Sequence, residues 1–311
     1  MNITVVLCTY NRAQSLSAAL ETAAAQIMPS EVQWEVLVVD NNSSDSTPRV
    51  VEQFESRYPG RFRYLFEPQP GKSYALNSGI RAARGAILAF MDDDVRADAS
   101  WLNNLTAPLG NAQWSGVGGR ILPDESFSPP PWLALKGQKE KYALAPLALF
   151  DLGEKSCQLS EAPFGTNMAY RKEMFEKYGN FRADLGPRPG SEIRNEDTEF
   201  GDRLLAAGEK LLYQPAAVVY HPVTENRIQK KYYLAWWFDK GRADIRQCGV
   251  PAGAPSLLGI PLYLFRRLVI WTLRWLLSFD SSERFNSKIK VWGKAGEIAE
   301  CFSRASRQTG T

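Results

Sequence analysis

The chain has 311 residues, 44% hydrophobic and 23% charged, which excludes a disordered or collagen-like protein. Cys8, Cys157, Cys248 and Cys301 are far apart and have no CxxC or CxxH spacing, so we expect reduced thiols and neither a zinc site nor a disulfide framework. His221 is the single histidine, which excludes chemistry that needs two imidazoles.

The net charge of +3 is unevenly distributed along the chain. Residues 226–311 carry 15 Lys and Arg against 6 Asp and Glu, whereas residues 1–225 carry 22 against 28. A basic C-terminal part predicts contact with an anionic partner, either a membrane surface or nucleic acid. Because no nucleic-acid-binding module is recognisable, nucleic acid is not an expected partner. The first residues lack the basic start of a signal peptide, so we expect a cytoplasmic location.

The first hundred residues alternate between two hydrophobic patterns. Continuous apolar runs rich in β-branched residues predict buried strands over 3–10, 61–67 and 86–92. A further strand is predicted to begin at residue 34 and to end in a turn before residue 47. Helical spacing predicts helices over 13–26, 47–59, 73–85 and from about Ala99. This alternation predicts an α/β fold with a mainly parallel, Rossmann-like sheet and helices on both faces.

The remaining chain continues this pattern after an irregular segment. Residues 123–165 contain SPPPW and scattered glycines, which favours a long loop or lid over the sheet edge. Residues 165–179 predict a strand leading into a helix, 194–208 a helix with an acidic first turn, and 210–222 a further strand. We therefore predict a main domain over 1–225, with halves 1–120 and 121–225, and a basic helical extension over 226–311.

Residues 259–279 predict an unusually apolar helix. Its charged side chains fall within about 100° of one another on a helical wheel: Arg266, Arg267 and Arg274. A membrane-spanning helix would bury them at about 2.5–3.5 kcal/mol each. A helix lying in the membrane interface, with Trp271 and Trp275 at the boundary, avoids this cost. We expect residues 256–279 to contact a membrane surface; the alternative is packing on the main domain or on a second copy in a homodimer.

Three strand exits of the predicted sheet are polar: residues 9–12, 40–45 and 92–94. Ligands of such sheets bind at the carboxyl ends of the strands. The third exit is a run of three aspartates, which has two interpretations. Asp94 or Asp98 could cap the next helix, or the carboxylates could hold a divalent cation such as Mg²⁺ or Mn²⁺.

A resemblance to a known family comes from five motifs taken together: TVVLCTYNR, VLVVDNNSSDST, GKSYALNSGIRAARGAILAFMDDDV, GTNMAYRK and NEDTEFGDRLLAAG. In this order they resemble the family 2 nucleotide-sugar glycosyltransferases, which are inverting enzymes of the GT-A fold. The resemblance covers roughly residues 2–245. It implies that the main domain is a GT-A catalytic domain, with nucleotide-sugar binding in 1–120 and acceptor binding in 121–225.

The resemblance implies a set of residues that bind the donor, a sugar on UDP or dTDP. Asp40 accepts a hydrogen bond from the base, and the first strand's exit lines the same pocket. The full donor-binding set is Thr9, Asn11, Arg12, Asp40, Lys72, Asn77, Asp92 and Asp93. Alternation along a strand places Asp93 on the face opposite its neighbours, which favours a structural role for it.

The resemblance also implies a metal site and a catalytic base. Asp92 and Asp94 form a DxD motif, in which Asp94 coordinates Mn²⁺ or Mg²⁺ on the donor diphosphate and Asp92 faces the ribose or the metal. His221 is either a further metal ligand or a surface or capping histidine. The base that deprotonates the acceptor matches Asp197, with Glu196 as the alternative; both could instead simply favour the helix dipole.

The acceptor side resembles the family at Gly165, Thr166 and Asn167. Residues 230–242 lack the QxxRW signature of processive synthases, so the sequence favours transfer of one sugar to a glycan or lipid-linked acceptor at the cytoplasmic membrane face. Two alternatives stay open: a GT-A-like nucleotidyltransferase and a non-catalytic nucleotide-sugar-binding protein. A dinucleotide-dependent dehydrogenase is excluded because no GxGxxG follows the first strand.

Overall fold

The computed structural model describes residues 2–125, 127–133 and 144–309. The chain forms two compact units, one comprising residues 1–125, 148–183 and 196–222, and the other comprising 126–147, 184–195 and 223–311. The domain division at residue 225 stays a prediction. Part of the loop predicted over 123–165, residue 126 and residues 134–143, lies outside the described residues.

The first unit is built on one sheet. Its strands are β1 (Ile3–Thr9), β2 (Trp34–Asp40), β3 (Phe62–Phe66), β4 (Ile87–Asp92), β5 (Arg96–Ala97), β6 (Gly116–Pro123), β7 (Cys157–Gln158), β8 (Asn167–Arg171) and β9 (Leu211–His221). Neighbouring strands follow the order β3-β2-β1-β4-β8-β6-β9-β5, and β7 pairs with β9. Strands β1 to β4, β6 and β9 run in one direction, whereas β5, β7 and β8 run antiparallel to their neighbours. The predicted mainly parallel sheet is confirmed.

Helices connect the parallel strands of this unit. They are α1 (Ala13–Ala24), α2 (Thr47–Arg57), α3 (Lys72–Ala82), α4 (Trp101–Thr106), α5 (Lys172–Tyr178) and α6 (Glu196–Ala206). The chain moves outward from β1 to β3 through α1 and α2 and returns through α3 to β4. Right-handed crossovers in opposite directions place helices on opposite faces of the sheet. The helix predicted from Ala99 is short because Pro108 follows it, and a 3₁₀ turn continues over Ala107–Gly110.

The core of the first unit lies in the strands with continuous apolar runs. All seven residues of β2 are buried, as are six of the seven in β1, because helices cover both faces. An aromatic cluster fixes α6: the Phe200 ring stacks on Phe175 at 4.3 Å and meets Tyr170 edge-on at 5.1 Å. This packing sets the position of the first residues of α6.

Strand β9 contains a large bulge. Residues 116–119 of β6 pair with 211–214 of β9, and residues 120–123 pair with 218–221. Residues 215–217 are therefore extra, and Pro215 is tolerated there because a bulge needs no ladder hydrogen bond from it. Asn167 donates from Nδ2 to the carbonyls of Arg120 and Ala217, both at 2.9 Å, and so holds the two sides of the bulge together.

The second unit is mainly helical. It contains α7 (Lys230–Cys248), the short strands β10 (Ser256–Leu257) and β11 (Ile260–Pro261), α8 (Leu262–Leu277) and α9 (Ser281–Thr309). Helices α7 and α9 approach closely at glycines, since a Cβ on Gly241 would overlap the Gly293 carbonyl. The buried Glu300 carboxylate of α9 accepts a 2.7 Å hydrogen bond from Arg246 of α7. Within the part of the chain that the structure describes, no helix is long and apolar enough to cross a membrane.

Candidate active site

Asp92 ends β4 and joins this strand to two other elements. Its Oδ1 accepts a hydrogen bond from Nζ of Lys72, and its Oδ2 accepts one from Oγ1 of Thr166, both at 2.7 Å. Lys72 begins α3, and Thr166 directly precedes β8. Residues predicted separately for the donor and the acceptor side therefore meet at one carboxylate.

Lys72 lies between two acidic side chains. Its Nζ is 2.7 Å from Oδ1 of Asp92 and 3.9 Å from Oε1 of Glu196. Burial lowers the pKa of Lys72, but the charges of Asp92 and Glu196 outweigh it and raise that pKa above its ordinary value. Burial raises the pKa of Asp92, whereas the charge and hydrogen bond of Lys72 hold it well below its ordinary range. Lys72 and Asp92 therefore form an ion pair at neutral pH.

Arg12 neutralises the rest of the aspartate triplet. Its Nη1 is 3.1 Å from Oδ1 of Asp93 and 2.9 Å from Oδ2 of Asp94. Asp93 is buried, and burial raises its pKa to about 6 although the Arg12 charge acts in the opposite direction. The sequence assigned Arg12 only to the base pocket and missed this contact. The mutual repulsion of the three aspartates is thus offset by two cationic side chains of the protein itself.

His221 ends β9 and is buried beside Asp94. Its Nε2 lies 3.8 Å from Oδ1 of Asp94. This separation lies between those of adjacent and opposite ligands on an octahedral ion, about 3.0 and 4.2 Å for bonds of about 2.1 Å, so the two side chains would have to shift by a few tenths of an ångström to bind one divalent ion. Across the described ranges, no group of three or more His, Cys, Asp or Glu side chains is arranged to hold a metal. An ion here would need further ligands from a bound diphosphate or from water.

Asp40 is fully buried at the end of β2. Its Oδ1 accepts a hydrogen bond from the Ser43 N–H at 2.9 Å, and its Oδ2 accepts one from the Tyr64 hydroxyl at 2.8 Å. Thr9 is its direct neighbour in the β1–β2 register and is also buried. The structure therefore brings these two predicted base-pocket residues together, with Tyr64 as a partner that the sequence did not indicate.

Asn11 connects the first two polar strand exits. It adopts a left-handed backbone conformation with φ of +51°, and its Oδ1 accepts a 2.7 Å hydrogen bond from the Ser44 N–H. Its own N–H donates to Oγ of Ser43 at 2.9 Å. The loops after β1 and β2 are thus held side by side, as expected for residues that line one pocket.

Asp45 fixes the same region and was not singled out from the sequence. Its Oδ2 accepts a hydrogen bond from the Ala13 N–H at 2.9 Å, and its Oδ1 accepts one from the Thr47 N–H at 3.0 Å. These two N–H groups lie at the starts of α1 and α2, where free amides need acceptors. Asp45 could have been identified from the sequence, because an acidic residue shortly before a predicted helix is a candidate helix cap.

Asp197, the predicted base, lies in the first turn of α6 and binds the loop before β8. Its Oδ2 accepts a 2.6 Å hydrogen bond from the Gly165 N–H, and its Oδ1 accepts one from the Thr198 N–H at 2.7 Å. Because Thr166 binds Asp92, the consecutive residues Gly165 and Thr166 connect the acidic start of α6 to the DxD motif. Asp197 is half-buried and keeps one face toward solvent.

Glu196, the alternative base, is in a different environment. It is buried, and burial together with the Asp197 charge raises its pKa to about 7 although Lys72 acts in the opposite direction. Its Oε2 has no hydrogen-bond partner among the described residues. Glu196 is therefore partly protonated near neutral pH, whereas Asp197 has its carboxylate fixed by backbone N–H groups.

Two predicted site residues serve the fold in this structure. Asn167 is fully buried, accepts a 2.8 Å hydrogen bond from Trp101 and spans the bulge of β9, so it does not line the expected acceptor side. Asn77 exchanges two hydrogen bonds with the backbone of Phe181, at 2.9 and 3.1 Å, so both ends of its amide have partners within the protein. Both differences arise from partners far away in the sequence.

The fold is similar to that of a solved glycosyltransferase. The mannosyltransferase PcManGT from Pyrobaculum calidifontis, solved in complex with GDP-Man and Mn²⁺, matches with a TM-score of 0.64 over 97% of this chain and 88% of that chain, at 18% identity. The architecture is that of the GT-A glycosyltransferases, and the predicted fold class is confirmed.

The model of the family "Glycosyl transferase family 2" matches residues 4–179, more than half of the chain. The chain belongs to this family and is a glycosyltransferase, as its motifs predicted. Glycosyltransferase AglE of Haloferax volcanii is 25% identical over 246 residues, covering 76% of this chain and 75% of the relative. The succinoglycan biosynthesis protein ExoM of Rhizobium meliloti is 27% identical over 237 residues, covering 76% and 70%.

Proposed function

We propose that this chain is an inverting, metal-dependent glycosyltransferase that moves one sugar from a nucleoside-diphosphate donor to an acceptor hydroxyl. The observation that carries the proposal is the path Asp92–Thr166–Gly165–Asp197, in which two adjacent residues bind the DxD carboxylate and the predicted base. A donor side and an acceptor side are thereby fixed relative to each other, which transfer between two bound substrates requires.

The donor is proposed to be a sugar on UDP or dTDP. Thr9, Asn11 and Asp40 lie together at the ends of β1 and β2, where nucleotides bind in open parallel sheets. Because both Asp40 oxygens have partners within the chain, recognition of the base would use its remaining lone pairs or a rearrangement of Tyr64. The GDP-Man complex of the solved mannosyltransferase makes guanine a donor base to be tested as well.

Asp94 and His221 are the residues that would hold Mn²⁺ or Mg²⁺. Such an ion, when bound, stabilises the negative charge that develops on the departing diphosphate. Lys72 supplies a fixed positive charge beside Asp92, within the same cluster.

Asp197 is proposed as the base that removes the proton from the acceptor hydroxyl. Its carboxylate is half-exposed and is held in one orientation by the N–H groups of Gly165 and Thr198. A buried Glu196 with a pKa of about 7 is a weaker candidate, since part of it is protonated at neutral pH.

The acceptor is proposed to be a glycan, either free or attached to a lipid carrier, at the cytoplasmic face of the membrane. ExoM, a relative by sequence, is described as a succinoglycan biosynthesis protein, which supports a role in polysaccharide assembly. A peripheral location is supported by the basic second unit and its apolar helix α8.

The experiment is a panel of UDP-, dTDP- and GDP-sugars, tested with and without Mn²⁺ for protection against thermal unfolding. A ligand at 100 times its Kd adds about 2.7 kcal/mol of stability, which is easily measured. The Mn²⁺-dependent part of the protection is expected to disappear in Asp94→Ala and to persist in Glu52→Ala, which removes an exposed carboxylate on α2. If no nucleotide sugar protects the protein and Asp94→Ala binds metal normally, the proposal is wrong.

A further inference from the structure

Helix α8 has apolar residues on two opposite faces, and only one face is covered within its unit. Leu264 is fully buried and packs with Ile245, Ile260 and Cys301. The opposite face is exposed and consists of Leu262, Phe265, Val269, Ile270, Leu273, Leu276 and Leu277. Spacings of three and four residues place these side chains in one stripe along the helix.

Further exposed apolar residues flank the helix in the sequence at both of its ends. Leu257 and Leu258, at the turn between β10 and β11, are 60% and 76% exposed, and Phe279 is fully exposed just after the helix. We call this set, Leu257, Leu258, the seven stripe residues and Phe279, the α8 apolar surface. Isolated exposed apolar residues are common, but a continuous patch of this kind marks an interaction site.

The charged side chains of α8 itself are all positive. Residues 245–279 contain no Asp or Glu, whereas Arg266, Arg267 and Arg274 are exposed along α8. Trp271 and Trp275, on the half-buried side of the helix, lie against cations: Lys290 is 4.1 Å from the centre of the Trp271 ring, and Lys288 is 5.2 Å from that of Trp275. On the exposed side, Arg267 and Arg274 border the apolar stripe and Arg266 lies within it, and this combination suits the boundary between lipid headgroups and acyl chains.

We propose that the α8 apolar surface binds the surface of a bilayer that contains anionic phospholipids. The charges favour this partner over a second copy of the chain. A twofold-related copy would bring three arginines of each α8 together with no carboxylate from either helix. Phosphate headgroups instead supply the missing negative charge, while the stripe enters the acyl boundary. This inference adds a contact surface and a lipid class to the proposed location, and its test does not depend on the transfer reaction.

The experiment is co-sedimentation of the full chain, without donor or metal, with vesicles of phosphatidylcholine alone or of phosphatidylcholine containing roughly 30% phosphatidylglycerol, because anionic headgroups attract exposed Arg and Lys side chains. Binding to the anionic vesicles is expected, at least about tenfold tighter than to the neutral ones. Leu273→Ser is expected to weaken binding about tenfold, as is the double variant Arg266→Glu/Arg274→Glu.

Matched controls are Ile27→Ser, an exposed apolar residue of the first unit, and Arg49→Glu/Lys210→Glu, which reverses the same number of exposed charges there. Both controls should bind anionic vesicles nearly as the unaltered chain does. Because the charge variant changes only exposed side chains, it tests the proposal even if Leu273→Ser fails to fold. Failure to bind anionic vesicles, or equal binding of the α8 variants and the unaltered chain, overturns the proposal. Self-association that Leu273→Ser abolishes, without vesicle binding, would instead make the surface a homodimer interface.

Discussion

Gly165 and Asp197 are in direct contact: the glycine N–H donates to Oδ2 of the carboxylate at 2.6 Å, and a Cβ on Gly165 would lie 3.0 Å from the same oxygen. Gly165, which the family resemblance placed on the acceptor side, therefore also sets the position of Asp197, the predicted base. Any side chain at position 165 must displace the Asp197 carboxylate.

Gly165→Ala is expected to lower kcat about 10- to 100-fold, because a shift of the base by a fraction of an ångström disturbs the reacting geometry. The unfolding temperature should change little, since Gly165 has no left-handed conformation to lose. The measurement is transfer kinetics with the donor identified by thermal protection. Gly110→Ala, where nothing lies within 4 Å of the new Cβ, is the control and should keep full activity.

Asp197→Asn is expected to reduce transfer by about 10²- to 10⁴-fold, because an amide cannot accept the proton of the acceptor hydroxyl. Glu196→Gln should have a smaller effect, since Glu196 is buried and partly protonated. Donor protection against unfolding should be retained in Asp197→Asn, which separates loss of chemistry from loss of binding. The reverse order of activities would assign the base to Glu196.

Glu196 should make stability fall as pH rises. Its pKa is 4.5 when unfolded and about 7 when folded, so the unfolded chain ionises first and is favoured between these values. The unaltered chain is expected to lose up to about 3 kcal/mol relative to Glu196→Gln between pH 4.5 and pH 7. Urea unfolding of both proteins at pH 4.5, 6 and 8 measures the difference. A pH-independent difference, equal to that of the exposed control Glu52→Gln, would contradict the environment described for Glu196.

Arg12→Gln is expected to strengthen Mn²⁺ binding roughly fivefold, because removing one positive charge beside Asp94 changes the interaction by about 1 kcal/mol. Stability without metal should fall by no more than about 1 kcal/mol, since the Arg12 side chain is 48% exposed. Calorimetric titration with Mn²⁺ measures the affinity. Arg57→Gln, which breaks the exposed pair with Glu21, is the control. Identical affinities of the Arg12 variant and the unaltered chain would show that Arg12 and the ion do not compete.

The parallel half of the fold was predictable because its signals are local. Continuous β-branched runs indicated β1 and β2, and helical spacing with Pro48 and Thr47 indicated α2. The antiparallel insertion of β8 between β4 and β6 was not predicted, since strand direction depends on pairing between distant segments.

The residue types that form the site were predictable from the sequence, but only some of the contacts between them were. Asp92, Lys72 and Thr166 were named, yet the hydrogen bonds that join them link positions up to 74 residues apart. The hydrogen bonds of Asn167 with Trp101 and of Asn77 with Phe181 could not be predicted, because no local pattern connects these distant residues. The ion pairs of Arg12 with Asp93 and Asp94 were likewise not predictable, because they join residues about 80 positions apart in the sequence.

The bulge between residues 214 and 218 divides β9 into two separately registered halves. The first half belongs to the core with Leu211, and the second half carries His221 to its place beside Asp94. Each half is held by its own register with β6, and residues 215–217 between them have no strand partner in β6. A deletion among residues 215–217 would remove a carbonyl that the buried Asn167 amide binds, so the placement of His221 beside Asp94 depends on Asn167 as well as on the β6 register.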